Sequence, residues 1–250
     1  MKKISYRGGM MDLDDLRRLA AKEELSLNYL AKDEQISKIL QQLQDSNEII
    51  LKGGTAVNRV YLRNKRFSED IDLDLIFLGT VKSAIPITKE IVSKLQGVTV
   101  EQPRQMKNTI RYDVYYTNPL NHKDKIQIEF TVIHTPEKHS KKIVNFGFVP
   151  AESALLNVYE IEIIIRHKID RVLNRIEGKD YYDLFYLLEL THKPIKLTKH
   201  EKKRLKERMG MDERQIKSVA NVLNHYLPKT KRENWYLFME NLKNKIEEKL

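Results

Sequence analysis

The run Asp70-Ile71-Asp72-Leu73-Asp74-Leu75-Ile76-Phe77 alternates acidic and aliphatic residues through Leu75 and stops shortly before Gly79. A period of two fits an extended strand, because a helix would scatter these side chains around its circumference. One face of the strand must then be buried, while the other carries Asp70, Asp72 and Asp74. Carboxylates gathered on one face repel each other, so a fold that collects them calls for a cation among them. The chain has no cysteine, and its seven histidines show no paired ligand spacing. The cation that suits is therefore a hard divalent ion, Mg²⁺ first and Mn²⁺ as an alternative. Mg²⁺ is commonly held by one or two carboxylates, with substrate phosphates completing its shell.

Upstream, the apolar run Glu48-Ile49-Ile50-Leu51 leads through Lys52 to Gly53-Gly54, and Thr55 to Leu62 has helical periodicity. This reads as strand, glycine turn, helix. Two residues without Cβ let backbone N–H groups and the positive end of a helix approach a triphosphate. Alone, a Gly-Gly turn is usually only a turn, and an alternating acidic strand is usually a solvated edge. Their order in one chain gives them joint meaning.

Leu13 to Gln44 reads as two helices, Pro86 to Leu95 as a helix opened by proline, and Ile110–Tyr116 and Lys125–Val132 as an antiparallel pair of strands joined through Asn118-Pro119-Leu120-Asn121. After Pro150 the pattern becomes helical: Ala154–Ile176, Tyr181–Leu190, Thr198–Arg208, Glu213–Tyr226 and Glu233–Lys249. Expected are an α+β domain over 1–150 and a helical domain over 151–250. From Lys193 to Leu250 there are 16 Lys and Arg against 8 Asp and Glu, which accounts for +8 of the net charge of +10. That excess suits a polyanionic partner such as RNA, the alternative being a lysine-rich solvated surface. No stretch reaches the roughly 18 apolar residues of a membrane span, and the N-terminus lacks a signal-peptide core, so a cytoplasmic protein without membrane contact is expected.

Strand, Gly-Gly, helix and then an aliphatic strand with Asp-x-Asp resembles the polymerase-beta-like nucleotidyltransferase fold, whose core is a mixed sheet with helices. Lys52-Gly53-Gly54-Thr55-Ala56 and Arg66-Phe67-Ser68-Glu69-Asp70-Ile71-Asp72-Leu73 resemble the first motif of the AbiEii/AbiGii toxin family, which includes the MenT toxins. The later family motifs find counterparts in Arg166-His167-Lys168-Ile169-Asp170-Arg171 and Lys179-Asp180-Tyr181-Tyr182-Asp183-Leu184, where Lys179 replaces the usual arginine. The resemblance spans roughly Ile49 to Leu190. It implies that Asp70 and Asp72 bind the metal, that Ser68 lies beside the nucleotide, and that a later strand adds a third carboxylate. Glu129 is the candidate for that carboxylate, a surface acid being the alternative.

On this reading Lys52, Gly53, Gly54, Thr55, Ser68, Lys168 and Arg171 hold the nucleotide, and Lys168, Asp180 and Asp183 complete the catalytic set with Asp70 and Asp72. The simpler alternatives are a helix-surface lysine for Lys168, a salt-bridging arginine for Arg171, an N-cap for Asp180 and a first-turn acid for Asp183. The aromatic group Tyr181, Tyr182, Phe185 and Tyr186 reads as core, base stacking being the alternative. The resemblance further implies a toxin of a toxin–antitoxin or phage-defence system, held in check by a cognate antitoxin. Such a toxin transfers a nucleoside monophosphate from an NTP to an acceptor, expected to be the 3′ end of tRNA. The competing readings are a protein or small-molecule acceptor, or a non-catalytic module that binds RNA or antitoxin.

Overall fold

A computed structural model describes residues 6–7, 10–144, 147–191 and 193–249. The chain folds as two compact units, Met1–Tyr159 and Glu160–Leu250.

The first unit is organised by an eight-stranded sheet in which the acidic strand is central. β1 (Tyr6–Arg7) and β2 (Met10–Met11) form a separate small hairpin, followed by α1 (Leu13–Glu23), capped by Asp12, and α2 (Leu27–Gln42), capped by Ser26. β3 (Ile49–Lys52) enters α3 (Gly53–Ala56), which continues as a π-helical turn over Val57–Tyr61; β4 (Ile71–Ile76) is the acidic strand. Next come α4 (Val81–Ser93), β5 (Thr99–Val100), β6 (Arg104–Gln105), β7 (Thr109–Thr117), β8 (Lys123–Ile133), β9 (His139–Ile143) and β10 (Leu155–Tyr159). The sheet runs β5-β7-β8-β4-β3-β10-β9, with β6 also on β7. The pairs β4–β8 and β3–β10 are parallel, and the other pairs are antiparallel.

Register divides this sheet into two faces. Ile71, Leu73 and Leu75 align with Ile128, Phe130 and Val132 on β8, and Leu51 and Ile49 on β3 align with Leu73 and Leu75. Ile110, Tyr112 and Val114 of β7 continue the same face. Most of these side chains are fully buried, and α2 and α4 pack over β7 and β8, where Thr88 Oγ1 meets Tyr112 OH at 2.8 Å. The opposite face carries the polar residues.

Two expectations need correction. The fourth helix starts at Val81 rather than Pro86, because Thr80 and Ser83 form a capping box that starts it a turn earlier. Pro86 is tolerated inside at the loss of one backbone hydrogen bond. Residues 155–159, expected to open a long helix, are strand β10, with Leu156 and Val158 buried. The helix begins only at Ile161. β9, whose sequence is His-Ser-Lys-Lys-Ile, gives no apolar signal of its own and forms by pairing with β10.

The second unit is helical: α5 (Ile161–Asn174), α6 (Gly178–Leu190), α7 (Lys199–Met209), α8 (Glu213–Asn224) and α9 (Trp235–Lys249). Its core combines Ile165, Ile169, Leu184, Leu187, Leu205 and Leu242 with an aromatic cluster in which Tyr182 stacks on Phe238 at 5.9 Å between centroids. Of the aromatic residues of α6, Tyr181 and Tyr182 are core, while Phe185 and Tyr186 are half-buried at its edge.

A buried ion pair ties the first unit together. Arg59, in the π turn, donates to Asp33 Oδ1 at 2.7 Å, to the Asp33 carbonyl at 2.8 Å and to Ser37 Oγ at 2.8 Å. The Val149 N–H donates to Asp33 Oδ2 at 2.9 Å. Burial pushes the Asp33 carboxyl up and the Arg59 guanidinium down, with their mutual attraction opposing both shifts. Removing one partner strands a buried charge, so Asp33→Ala is expected to lower stability by about 3–5 kcal/mol. The apolar double variant Asp33→Leu/Arg59→Met should recover most of that. Urea unfolding of the full chain checks both, and a double variant as unstable as the single one would contradict the assignment.

Candidate active site

The Gly-Gly turn is built against the acidic strand. Gly53 has φ +67°, a conformation that L side chains rarely adopt, and a Cβ there would fall on the Asp72 carboxylate, 2.8 Å from its Cγ. A Cβ on Gly54 would lie 2.8 Å from both Arg66 Nη2 and Ser68 Oγ. The two glycines therefore let the backbone close onto Asp72 on one side and onto Ser68 and Arg66 on the other. Thr55 is fully buried; its hydroxyl meets Ser68 Oγ at 3.1 Å and donates to the Asp70 carbonyl. Asn58 completes the clamp, donating to the Gly54 carbonyl at 3.0 Å and accepting the Arg66 N–H at 3.2 Å. Gly53, Gly54, Ser68, Asp70 and Asp72, picked out in the sequence, are thus brought together. Thr55 is with them as a buttress, its hydroxyl already engaged.

Across the polar face, register sets four charges in one row: Lys52 on β3 faces Asp72 on β4, Asp72 faces Glu129 on β8, and Glu129 faces Arg111 on β7. Two adjacent carboxylates are thus flanked by two cations. Arg111 holds Glu129 through Nε at 3.1 Å and Nη2 at 2.8 Å, both on Oε2. Lys52 turns to Asp74 Oδ1 at 2.5 Å and Thr131 Oγ1 at 2.8 Å. Asp74 also accepts from Tyr159 OH at 2.6 Å; burial, then that bond, push the Tyr159 hydroxyl far above its ordinary value. The third acid of the strand, although on the same face as Asp72, is thereby sealed into a buried network, and the Lys52 ammonium that the sequence assigned to the nucleotide is directed to it.

Among the described residues no group of three or more histidine, aspartate or glutamate side chains forms a ready cluster for a metal. The donor set is a pair, Asp72 on β4 and Asp70 just before it, beside a glycine cradle. That fits Mg²⁺, which takes one or two carboxylates and completes its shell with phosphates and water. Arg111, Asn58 and Arg66 are the residues of this region that sequence reasoning did not assign. Alternation in Ile110-Arg111-Tyr112-Asp113 and a hairpin turn at 118–121 hold the signal for Arg111, because they place it opposite Glu129.

The second unit holds its own charge cluster. Lys168 Nζ, with 8% of its side chain exposed, lies 2.9 Å from Asp180 Oδ1 and 2.8 Å from Asp183 Oδ2. Arg175 Nε adds a bond to Asp180 Oδ2 at 2.8 Å. Burial pulls the Asp180 carboxyl upward, but Lys168 and Arg175 outweigh it and hold it below the usual carboxylate range. Asp180 is not the N-cap of α6, since Glu177 occupies that position. Lys168 is not a surface lysine either. Arg171 is exposed on α5, and Arg175 lies just past the end of the helix in extended backbone. Lys179, where the resemblance has arginine, stands over the Tyr226 ring at 4.5 Å.

Residues 37–248 match the family described as "Nucleotidyl transferase AbiEii toxin, Type IV TA system". The chain belongs to the AbiEii family. The resemblance read from the first motif is thereby confirmed, and with it the nucleotidyltransferase activity, an NTP as substrate and an antitoxin as partner within a type IV toxin–antitoxin system. Among solved structures, JHP933 from Helicobacter pylori has a TM-score of 0.61 at 19% identity, covering 89% of this chain and 92% of that one. MenT4, a nucleotidyltransferase toxin from Mycobacterium tuberculosis, has a TM-score of 0.60 at 14% identity, covering 95% of this chain and 89% of that one. At these identities the likeness shows the fold, and the expected α+β class with a mixed sheet holds for this AbiEii chain. No curated protein matches the sequence. No described helix is long and apolar enough to cross a membrane.

The Lys168 cluster gives a pH prediction. Because the folded value of Asp180 lies below its unfolded value of about 3.9, its contribution to stability is full above that value and is lost as the pH falls through the folded value. Asp180→Asn should therefore destabilise the protein near neutrality, and the gap from wild type should close on acidification below about pH 4. Urea midpoints from pH 3 to 7 check this, and a gap of constant size would contradict it.

Proposed function

We propose that this AbiEii protein transfers a nucleoside monophosphate from an NTP to a hydroxyl of RNA, tRNA 3′ ends being the expected acceptor, with Mg²⁺, or Mn²⁺ in its place, held by Asp70 and Asp72 and joined by Glu129. The observation that carries this reading is the closure of the Gly53 backbone onto the Asp72 carboxylate, which suits a turn that takes phosphates beside an acid that takes a metal. Gly53, Gly54 and Ser68 receive the triphosphate, with Thr55 and Lys52 fixing the turn and the strand behind them. When bound, the metal neutralises charge on the phosphates and on the departing pyrophosphate.

Lys168 addresses a phosphate oxygen. An ammonium has three donors, of which two go to Asp180 and Asp183. Asp180 and Asp183 hold the Lys168 ammonium in place, and the proton of the acceptor passes to solvent. Arg171 adds positive charge nearby along α5. The acceptor hydroxyl attacks the α-phosphorus, and the new O–P bond forms as the bond to the β-phosphate oxygen breaks. The β- and γ-phosphates leave together as pyrophosphate.

The basic face of α7 suits RNA, because Lys199, Lys202, Lys203 and Lys206 are exposed, whereas Arg204 is drawn inward to the Leu173 carbonyl at 2.9 Å. On this reading the protein acts in the cytoplasm, held by an antitoxin, as part of a toxin–antitoxin or phage-defence system.

Incubation of the protein with total RNA, Mg²⁺ and each α-labelled NTP should label RNA, and Asp72→Ala or EDTA should abolish the label while leaving the fold intact. Wild-type labelling in either case ends the metal assignment. Label that survives RNase treatment would move the acceptor to protein or a small molecule. The second expectation concerns salt. Affinity for tRNA should fall by about 0.7–0.9 log units per log unit of salt for each neutralised phosphate, and Lys199, Lys202, Lys203 and Lys206 changed together to Glu should flatten that slope. An unchanged slope measured by filter binding would make α7 a solvated face only.

A further inference from the structure

Arg111 stands at a junction of two kinds of chemistry. Its guanidinium donates twice to a single oxygen of Glu129, at 3.1 and 2.8 Å, and Glu129 is the cross-strand neighbour of Asp72. Its side chain is 33% exposed, so a solute anion can reach it. The field around it is acidic: the hydrogen bond to Glu129 holds the guanidinium above its usual value, with Asp70 and Asp113 reinforcing. Nearby, Asp113 already has cations of its own, Arg104 at 2.6 Å and Lys125 at 2.8 Å. Arg111 is therefore the cation matched to Glu129, and Glu129 stands one strand away from the acid pair.

Without Arg111, Asp72 and Glu129 would be like charges directly opposite each other, a destabilising arrangement. With it, Glu129 is neutralised and also withheld, since the guanidinium occupies one of its two oxygens. A guanidinium fork that fits a carboxylate also fits a phosphate. A metal–nucleotide complex brings both competitors together, phosphate oxygens for Arg111 and a divalent cation for Glu129.

We infer that Arg111 keeps Glu129 off the acid pair in the free protein and exchanges it for a phosphate of the incoming nucleotide, releasing Glu129 to join Asp70 and Asp72. The inference rests on the site proposed above, with Asp70 and Asp72 as the metal pair and Gly53-Gly54 as the phosphate cradle. The exchange is neutral in charge: one guanidinium–carboxylate pair is replaced by a guanidinium–phosphate pair and a carboxylate–cation pair. It makes the full metal site conditional on nucleotide, and no covalent step is needed.

The test measures binding in the full chain without turnover: Mn²⁺ titrated by electron paramagnetic resonance in the absence of nucleotide, and an α,β-methylene NTP analogue titrated by calorimetry in the absence of metal. Asp72→Asn should weaken Mn²⁺ binding by at least about tenfold, as loss of a ligand demands. Arg111→Met should tighten Mn²⁺ binding roughly threefold, the scale of a partly exposed ion pair, and adding Glu129→Gln should remove the gain. The analogue should bind Arg111→Met about tenfold more weakly, and Glu129→Gln roughly threefold more tightly because Arg111 is released.

If Asp72→Asn loses Mn²⁺ while Arg111→Met keeps wild-type affinity for both ligands, the exchange is wrong and the site stands. If Asp72→Asn binds Mn²⁺ as wild type does, the site itself is misplaced. Should Arg111→Met fail to fold, Glu129→Gln decides alone, and unchanged affinity for the analogue overturns the exchange.

Discussion

The register of β4 between β3 and β8 is the constraint on which the rest depends. Ile71, Leu73 and Leu75 are fully buried against the helices behind the sheet, and that apolar anchoring forces Asp72 and Asp74 to the other face. A slip of one residue would send the carboxylates into the core and the aliphatic residues into water, so the hydrophobic effect sets the position of the acids without touching them. Once β4 is fixed, pairing fixes Lys52, Glu129 and Arg111 in the same row, and the turn after Lys52 can close onto Asp72 only because residue 53 has no side chain. Of the two adjacent carboxylates, Glu129 is held by Arg111, while Lys52, which stands in register with Asp72, is directed to Asp74.

Each unit also contains a buried ionic network placed where two elements must keep a set geometry. Arg59 ties the π turn behind the Gly-Gly helix to α2 and to the Val149 backbone; Lys168, Asp180, Asp183 and Arg175 tie α5 to α6. Pairs of this kind are poor sources of net stability, because desolvation offsets most of the attraction. Their effect is directional: few alternative packings satisfy a buried guanidinium or ammonium. In an AbiEii enzyme that orientation keeps the glycine turn seated on Asp72 and fixes the Lys168 ammonium between α5 and α6.

Sequence reasoning reached the parts of this architecture that are written locally. Period-two alternation gave β4, β7 and β8, the glycine pair marked the turn, and the family likeness carried Lys168, Asp180 and Asp183. What escaped depends on partners far along the chain. β9 is polar and exists by pairing with β10, and the alternation of Leu155 to Tyr159 was overridden by the helical pattern that follows. Asp74 looks equivalent to Asp72 in sequence, yet Tyr159 OH, 85 residues away, meets it and seals it in the sheet. Arg111 was legible in principle from strand alternation and the turn at Asn118–Asn121, whereas the clamp by Asn58 and the Arg59–Asp33 pair arise from tertiary packing alone.

The central claim is that Asp70 and Asp72, beside Gly53 and Gly54, form the metal and nucleotide site of this AbiEii protein. Its most direct test is a crystal of the protein grown with Mn²⁺ and a non-hydrolysable NTP, with anomalous scattering recorded at the manganese edge. The account predicts an anomalous peak bridging the Asp70 and Asp72 carboxylates and triphosphate density over the Gly53-Gly54 turn. A manganese peak on other ligands, or a triphosphate bound away from that turn, would contradict it.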